Sequence, residues 1–241
     1  MSKTQKILLA VYLPATLLVL YSINFFPSGN TVFYLKYAVI VSLFIASISI
    51  HKKYREQKYM AASFFFVAIA DFCLVFSATI EGLWITLSPY GIVGFLFAYL
   101  CLIAAYNKNF KIGRAEIITA IPIVIVFLYT FMSLQPYLSG FMFIGALIFG
   151  LVLCYMTWSA ICTIYRGYFS KKASYIIALS GSLMFICDIG VAFSLFYPNY
   201  FERYSLLFND IVWAAYIIGW TLLVVAISEK NLLTHNDTSN K

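Results

Sequence analysis

Eight long apolar segments dominate the sequence, and they constrain the fold more than any other feature. They lie at about residues 7–25, 33–50, 59–80, 91–106, 116–133, 138–164, 174–196 and 208–228. A helix needs about 20 mostly apolar residues to cross a bilayer, and only helices or closed barrels satisfy their backbone groups there. A barrel would show alternating polarity in segments of ~10 residues, whereas these segments are continuous. We therefore predict an all-α, polytopic membrane bundle of eight transmembrane helices, forming one integral membrane domain over residues 1–241.

The composition excludes several classes of protein. Hydrophobic residues make up 63% of the chain and charged residues only 10%, whereas soluble domains average about 25% charged residues. A soluble enzyme, a disordered chain and a nucleic-acid binder are therefore excluded. All five cysteines lie in apolar segments without CxxC spacing, and the two histidines, His51 and His235, lie at a membrane edge and in the tail. We expect no disulfide framework, no metal site and no cofactor.

The basic residues predict the orientation of the chain in the membrane. Of the 16 lysines and arginines, only Lys36 and Arg203 fall on one side of an eight-helix arrangement. The other side carries Lys3, Lys6, Lys52, Lys53, Arg55, Lys58, Lys108, Lys111, Arg114, Arg166, Lys171, Lys172, Lys230 and Lys241. Because basic loops stay in the cytoplasm, we expect both termini to be cytoplasmic, in the inner membrane of a bacterial cell. The net charge of +7 then serves orientation and contact with anionic lipid.

Two aspartates lie deep within the predicted spans. Asp71 is near the middle of the third span and Asp188 is in the seventh, while Glu81 and Asp210 lie near the outer ends of the third and eighth spans. An aspartate at the bilayer centre costs about 2.5–3.5 kcal/mol on insertion scales, and such a residue usually faces the bundle interior or a wet cavity. A structural alternative is an inter-helix hydrogen bond or a protonated carboxyl in the core.

The surroundings of the two aspartates are similar to each other. The segments ASFFFVAIADFCLVFS and LSGSLMFICDIGVAFS align on their aspartates, and both run outward from the cytoplasmic side. Identical residues pair as Ser63 with Ser180, Ile69 with Ile186, Phe76 with Phe193 and Ser77 with Ser194. Because the two spans are four apart, this similarity favours two parallel four-helix halves with a ligand pocket between them.

Two neighbouring carboxyls could perform acid–base chemistry. When like charges are forced together away from water, one carboxyl keeps its proton, which leaves one acid and one base. The sequence has no GxSxG motif, no P-loop, no GxGxxG motif and no histidine within a span. The residues therefore favour acid-catalysed hydrolysis without a covalent serine intermediate.

Several segments resemble one known family. The stretch ALSGSLMFICDIGVAFSLF, Ala178 to Phe196, is similar to a family signature of alanine–leucine, small residues, phenylalanine and serine–aspartate. The stretch Ala61 to Ser77 resembles the same family's glycine–aspartate helix, and Gly94 to Ala105 and Tyr216 to Ala226 resemble its fourth and eighth helices. The family is that of the YhhN-like lysoplasmalogenases, and the resemblance extends from about Leu35 to Ser228.

The resemblance implies an activity and a set of site residues. These enzymes cleave the vinyl-ether bond of lysoplasmalogens, which releases a fatty aldehyde and a glycerophospho-headgroup. Asp71 and Asp188 match the two catalytic acids of the family, one protonating the vinyl-ether carbon and the other activating water. We expect Tyr99, Asp210 and Tyr216 to contact the substrate, a lysophospholipid-type membrane lipid.

The chain departs from the family pattern at four positions. Ala70 and Cys187 precede the aspartates where the family usually has glycine and serine, respectively. Tyr99 stands in place of a histidine and Trp220 in place of a glutamine. Tyrosine donates a hydrogen bond but does not titrate near neutral pH, and tryptophan offers a single donor.

Three further functions remain open at the level of sequence. An inactive or repurposed family member would keep the fold without the activity. A proton-coupled transporter or a lipid-binding protein could use the same intramembrane acids, and a broken helix with paired Gly/Pro interruptions would favour transport. An intramembrane aspartyl protease fits less well, because its aspartates lie in Tyr-Asp and Gly-x-Gly-Asp contexts, unlike Ala70-Asp71 and Cys187-Asp188.

Overall fold

The fold was described from a computed structural model of the chain. The structure describes residues 2–26, 29–198 and 200–234, without the side chains of Phe141 and of residues 200–207. His235 and Lys241, which the sequence places in the tail, lie outside the described residues.

Eight helices long and apolar enough to cross a membrane account for nearly all of the described chain. They are α1 (Lys3–Phe25), α2 (Asn30–Ser49), α3 (Arg55–Asp71), α4 (Leu83–Tyr106), α5 (Arg114–Leu134), α6 (Gly140–Arg166), α7 (Lys171–Phe196) and α8 (Tyr200–Ile227). The described residues include no strand, apart from an isolated bridge between Phe169 and Leu233. The predicted all-α bundle of eight membrane-spanning helices is confirmed.

The ends of three helices differ from the ranges expected from hydropathy. The helix α4 begins at Leu83 and continues through Pro89, whereas the sequence suggested a start near residue 91. The helix α8 begins at Tyr200 rather than near residue 208, because its polar first turns lower the local hydropathy. The third span is not one regular helix, since α3 ends at Asp71 and is followed by a π-helical turn, Phe72–Phe76, and a 3-10 turn, Ser77–Thr79.

Polarity is distributed inside out relative to a soluble protein. Large apolar side chains face outward along the helices, including Leu17, Ile85 and Tyr129, which are 68%, 75% and 71% exposed. Polar side chains such as Ser63 and Ser180 are fully buried. Such a surface is stable in contact with lipid and would be an aggregation hazard in water. The chain is therefore an integral, multi-pass membrane protein.

The helices that carry the two aspartates form the centre of the bundle. The most extensive contacts join α7 to α8 and α3 to α4, and α6 packs on α7. Close approach of α4 to α3 depends on glycine, because an added Cβ at Gly94 would lie 3.0 Å from the Ala70 Cβ. The helix α1 packs against α8, whereas α5 lies at the periphery on α6. The contact between α3 and α4 thus depends on a small residue.

Polar contacts join the helix ends at one side of the bundle, which we call the basic end. Lys172 at the start of α7 forms a 2.5 Å ion pair with Glu229, just after α8. Gln5 of α1 donates to the same Glu229 carboxylate at 2.8 Å, and Gln57 of α3 donates to the Ile227 carbonyl at 2.7 Å. Four helices are therefore fixed to one another at the basic end, opposite the ends at which α2, α4, α6 and α8 begin.

Candidate functional site

Asp71 lies where the third span loses its regular helical geometry. It is the last residue of α3, and the π-helical turn Phe72–Phe76 follows directly. The Ser77 hydroxyl donates a 2.5 Å hydrogen bond to the Cys73 carbonyl within this irregular segment. Single π-helical turns inside membrane and soluble helices are frequent at functional sites. The irregular turn therefore marks the position of Asp71 independently of its charge.

The Asp71 carboxyl is enclosed and has one tyrosine partner. Only 2% of the residue is exposed. The Tyr216 hydroxyl of α8 donates a 2.5 Å hydrogen bond to Asp71 Oδ2. This contact, the first Tyr–Asp pair, joins α8 to α3 across the centre of the bundle, and it satisfies one oxygen of a carboxyl that water hardly reaches.

Asp188 has an equivalent partner, and the residue as a whole is less enclosed than Asp71. The Tyr99 hydroxyl of α4 donates a short hydrogen bond to Asp188 Oδ2. Tyr99 is 1% exposed, whereas Asp188 is partly exposed. This contact, the second Tyr–Asp pair, joins α4 to α7. The two residues therefore differ in overall exposure, although each aspartate accepts a hydrogen bond from a buried tyrosine.

The two Tyr–Asp pairs cross between the halves of the chain. The sequence interval from Asp71 to Asp188 equals the interval from Tyr99 to Tyr216. A repeat that superimposes α3 on α7 therefore also superimposes α4 on α8, and it exchanges the two pairs. Each aspartate binds the tyrosine of the other half, as expected for a pseudo-two-fold axis between parallel repeats.

Aromatic rings connect the two pairs into one cluster. Phe95 lies between the tyrosines, with its ring centroid 6.3 Å from that of Tyr99 and 6.1 Å from that of Tyr216. The two carboxyls lie within electrostatic range of each other. Within the described residues, the second oxygen of each carboxyl accepts no hydrogen bond. The cluster therefore presents two acids, each held by one oxygen and free at the other.

Trp220 of α8 serves packing. The side chain is fully buried, with its ring centroid 5.1 Å from that of Phe64 and 6.3 Å from that of Tyr216. Its Nε1 donates to no acceptor in the described part of the chain. The indole therefore fills space behind Tyr216 without supplying a polar contact to the carboxyls.

Asp210 lies apart from the Tyr–Asp pairs. Asn24 of α1 donates to both of its carboxylate oxygens at 3.0 Å. This contact is at the end of the bundle opposite the basic end, where α1 finishes and α8 begins. Of the residues that the sequence suggested as a site, the structure brings together Asp71, Asp188, Tyr99 and Tyr216, and it does not bring Asp210 to them.

Lys36 lies near this cluster. From the sequence, it was noted only as one of the two basic residues that fall outside the main charge pattern. It lies on α2, and only 6% of it is exposed. Its Nζ lies 4.1 Å from the centroid of the Trp213 ring and 5.5 Å from that of Phe33. Trp213 in turn packs on Tyr216, with ring centroids 5.5 Å apart. The sequence signal was present, since Lys36 is one of only two basic residues on its side of the membrane.

A cavity of about 760 Å³ opens at the basic end. Its lining includes Thr4, Ser49, Gln57 and Lys230, and neither aspartate contributes to it. The described residues contain no group of three histidines, cysteines or acids that could hold a metal ion. The cavity is therefore separate from the Tyr–Asp pairs.

Comparison with known proteins gives one match. The model of the family described as the YhhN family matches residues 31–227, which include both aspartates and both tyrosines of the pairs. Neither the curated proteins nor the solved structures include a significant match to the chain.

Proposed function

Since the chain belongs to the YhhN family, we propose that it is a membrane-embedded hydrolase that cleaves the vinyl-ether bond of lysoplasmalogen-type lipids. Asp71 and Asp188 are the catalytic acids in this proposal. The observation that carries it is the pair of crossed Tyr–Asp contacts at the centre of the bundle. Two carboxyls in electrostatic range, each with a free oxygen, are suited to paired acid–base catalysis.

The difference in access between the aspartates suggests their roles. A charge costs most where no water reaches it, so the enclosed Asp71 is the better proton donor. It would protonate the vinyl-ether carbon distant from the ether oxygen, which produces an oxocarbenium ion. The partly exposed Asp188 can hold a water molecule and accept its proton as the water attacks the oxocarbenium carbon.

The products follow from the collapse of the resulting hemiacetal. The hemiacetal hydroxyl gives its proton to the Asp71 carboxylate while the glycerol oxygen gains one from the protonated Asp188. The carbon–oxygen bond breaks, which releases a fatty aldehyde and a glycerophospho-alcohol. Both acids are thereby returned to their starting protonation states. One water is consumed in each turnover, and neither a metal nor a redox cofactor is needed for the balance.

The tyrosines are positioning residues in this proposal. Each tyrosine hydroxyl donates a hydrogen bond to Oδ2 of one aspartate. This contact fixes the rotation of the carboxyl and leaves Oδ1 for the substrate or for water. Tyr99 thereby supplies the hydrogen bond that the family histidine would otherwise make, without taking up a proton itself.

Transport is less well supported, because only one of the two central acids lies beside a helix interruption. The third span breaks after Asp71, whereas α7 is a regular helix from Lys171 to Phe196 on both sides of Asp188. Transporters built from repeats typically interrupt corresponding helices in both halves.

The test of the proposal is aldehyde release by the purified protein. We expect the wild type in maltoside micelles to release fatty aldehyde from a lysoplasmenyl-ethanolamine, and Asp71→Asn and Asp188→Asn to lose at least about 100-fold of this activity. Glu81→Gln is the matched control, because it neutralises an exposed carboxyl outside the Tyr–Asp pairs and should retain activity.

A saturated-ether analogue of the same lipid provides the chemical control. It lacks the carbon that accepts the proton, so it should not be cleaved. Wild-type activity that survives both Asp71→Asn and Asp188→Asn would exclude the proposed mechanism. A folded wild type that releases no aldehyde would instead favour a repurposed family member.

We also propose that the basic end faces the cytoplasm of a bacterial cell, with both termini on that side. The concentration of lysines and arginines at that end supports this orientation. Labelling of a single cysteine placed at residue 230 or at residue 82, in a background without the native cysteines, distinguishes the two sides. A membrane-impermeant maleimide added to whole cells should label residue 82 only.

A further inference from the structure

Lys36 is a buried cation without a hydrogen-bond acceptor in the described part of the chain. The structure gives its Nζ two ring contacts, with Trp213 and Phe33, and no ion pair. Asp210 is close enough to interact with it electrostatically, but that carboxylate accepts its hydrogen bonds from Asn24. An ammonium group has three protons to donate, and burying it in a membrane span is costly. The position is therefore suited to an anionic ligand.

The position of Lys36 relative to the Tyr–Asp pairs indicates which anion. Trp213 precedes Tyr216 by one turn of α8, on the side away from the basic end, and the two rings are in contact. The Lys36 ammonium also lies against Trp213, 4.1 Å from the centroid of its ring. One helical turn corresponds to about 5 Å along the axis, which is comparable to the length of a three-carbon glycerol.

We propose that Lys36 binds the headgroup phosphate of a lysophospholipid substrate while its ether bond lies between Asp71 and Asp188. This inference rests on the proposed function and names the part of the substrate that the site recognises. The glycerol spans the interval from the Tyr–Asp pairs to Lys36, and the phosphate points away from the basic end. The lipid therefore approaches from the leaflet opposite the basic end.

The proposal also explains why a lysine is present against the topology signal. A basic residue on this side opposes the orientation that the other basic residues favour. Its aromatic contacts hold the ammonium in place by cation–π attraction, and they leave its protons available. A purely structural lysine at this depth would be expected to donate to a carboxylate or a carbonyl.

Binding is the first test, because it does not depend on turnover. The probes are a saturated 1-O-alkyl-glycerophosphoethanolamine and the matching 1-O-alkylglycerol, which lacks the phosphate. Titrations are made in maltoside micelles, since phospholipid bilayers would compete through their own phosphates. We expect the wild type to bind the phosphate-bearing probe about 10–100-fold more tightly than the glycerol, as for a charge-assisted hydrogen bond.

Variants assign that preference to Lys36. Lys36→Met should bind both probes with similar affinity, whereas Lys36→Arg should keep much of the preference. Lys58→Met is the matched control, because it removes an exposed lysine at the basic end and should bind like the wild type. A Lys36→Met protein that is folded and still prefers the phosphate-bearing probe would overturn the proposal.

Kinetics then separate this inference from the proposed function. If aldehyde is released, Lys36→Met should raise KM for lysoplasmenyl-ethanolamine about 10–100-fold with a smaller change in kcat. Its kcat/KM for the phosphate-free alkenylglycerol should equal that of the wild type. If no aldehyde is released but Lys36 still determines the phosphate preference in binding, the hydrolase proposal fails while the phosphate site stands.

Discussion

The hydroxyl of Tyr216 donates a 2.5 Å hydrogen bond to the carboxyl of Asp71, although the two residues lie on different helices in opposite halves of the chain. Both are buried, so this hydrogen bond is protected from competition with water. A carboxyl deprived of its only described partner in such a setting would lose both its orientation and part of its solvation. The contact therefore links the stability of the α3–α8 interface to the geometry of the catalytic site that we propose.

We expect Tyr216→Phe to weaken both properties. Removing one hydroxyl leaves the ring contacts with Phe95 and Trp213 in place, but it leaves Asp71 without a donor. The loss should be about 1–3 kcal/mol of stability, measured by unfolding in mild detergent, and at least about tenfold in kcat. Tyr90→Phe is the control, since Tyr90 is 64% exposed; equal effects of the two substitutions would contradict this role.

The crossed arrangement predicts that the two tyrosines act on one site. Tyr99→Phe removes the donor to Asp188 in the same way. If both aspartates serve one reaction, the double variant should lose less activity than the product of the single losses, because residues that act as a unit are not additive. The measurement is kcat for the wild type, the two single variants and the double variant. If the two pairs were separate sites, the losses of the single variants would multiply in the double variant.

The hydropathy pattern was sufficient to predict the eight helices and the depth of the two aspartates, because both are local properties of the chain. The partners of those aspartates could not be predicted in the same way. The sequence suggested Tyr99 as a substrate contact in the place of a family histidine, whereas its hydrogen bond to Asp188 depends on how the bundle brings α4 and α7 together. The π-helical turn after Asp71 also escaped prediction, since its residues are as apolar as those of a regular helix.

Lys36 shows a different limit of sequence interpretation. Lys36 is an exception to the charge pattern that predicts the topology. In the structure, the same residue is a buried cation beside Trp213. A single lysine on the side opposite the basic end has no periodic pattern around it, so only the packing of α2 near α8 reveals its neighbours. For Asp210, the expected substrate contact stays a prediction, and the structure adds that Asn24 donates hydrogen bonds to its carboxylate.

Acid should weaken the polar contacts at the basic end. Burial opposes ionisation of Glu229, but hydrogen bonds from Lys172 and Gln5 outweigh it and lower the pKa of this carboxyl below its usual value. A carboxyl with a lowered pKa stabilises the folded state above its unfolded pKa, about 4.3, and this contribution is lost as the pH falls through the folded pKa. We therefore expect Glu229→Gln to lower Tm at pH 7 and the difference from the wild type to diminish below about pH 4. A difference that is constant with pH would show that the Glu229 charge contributes nothing to stability.

The close contact between α3 and α4 provides a test of how strictly the site depends on its scaffold. A methyl group added at Gly94 would lie 3.0 Å from the Ala70 Cβ and 3.2 Å from the Ala70 Cα, and Ala70 directly precedes Asp71. Overpacking of this kind costs about 1–3 kcal/mol, and displacement of a catalytic group by 1 Å can cost about 100-fold in rate. We expect Gly94→Ala to lower Tm and to reduce aldehyde release more than it reduces the amount of folded protein.

Gly145→Ala is the control for this prediction. It makes the same change in α6 where no atom lies within 4 Å of the new methyl group, so it should match or exceed the wild type in stability, because alanine favours helix. Equal Tm and equal activity for the two variants would mean that the α3–α4 interface accommodates the methyl group without displacing Asp71. The Tyr–Asp pairs would then not require close packing of α3 against α4.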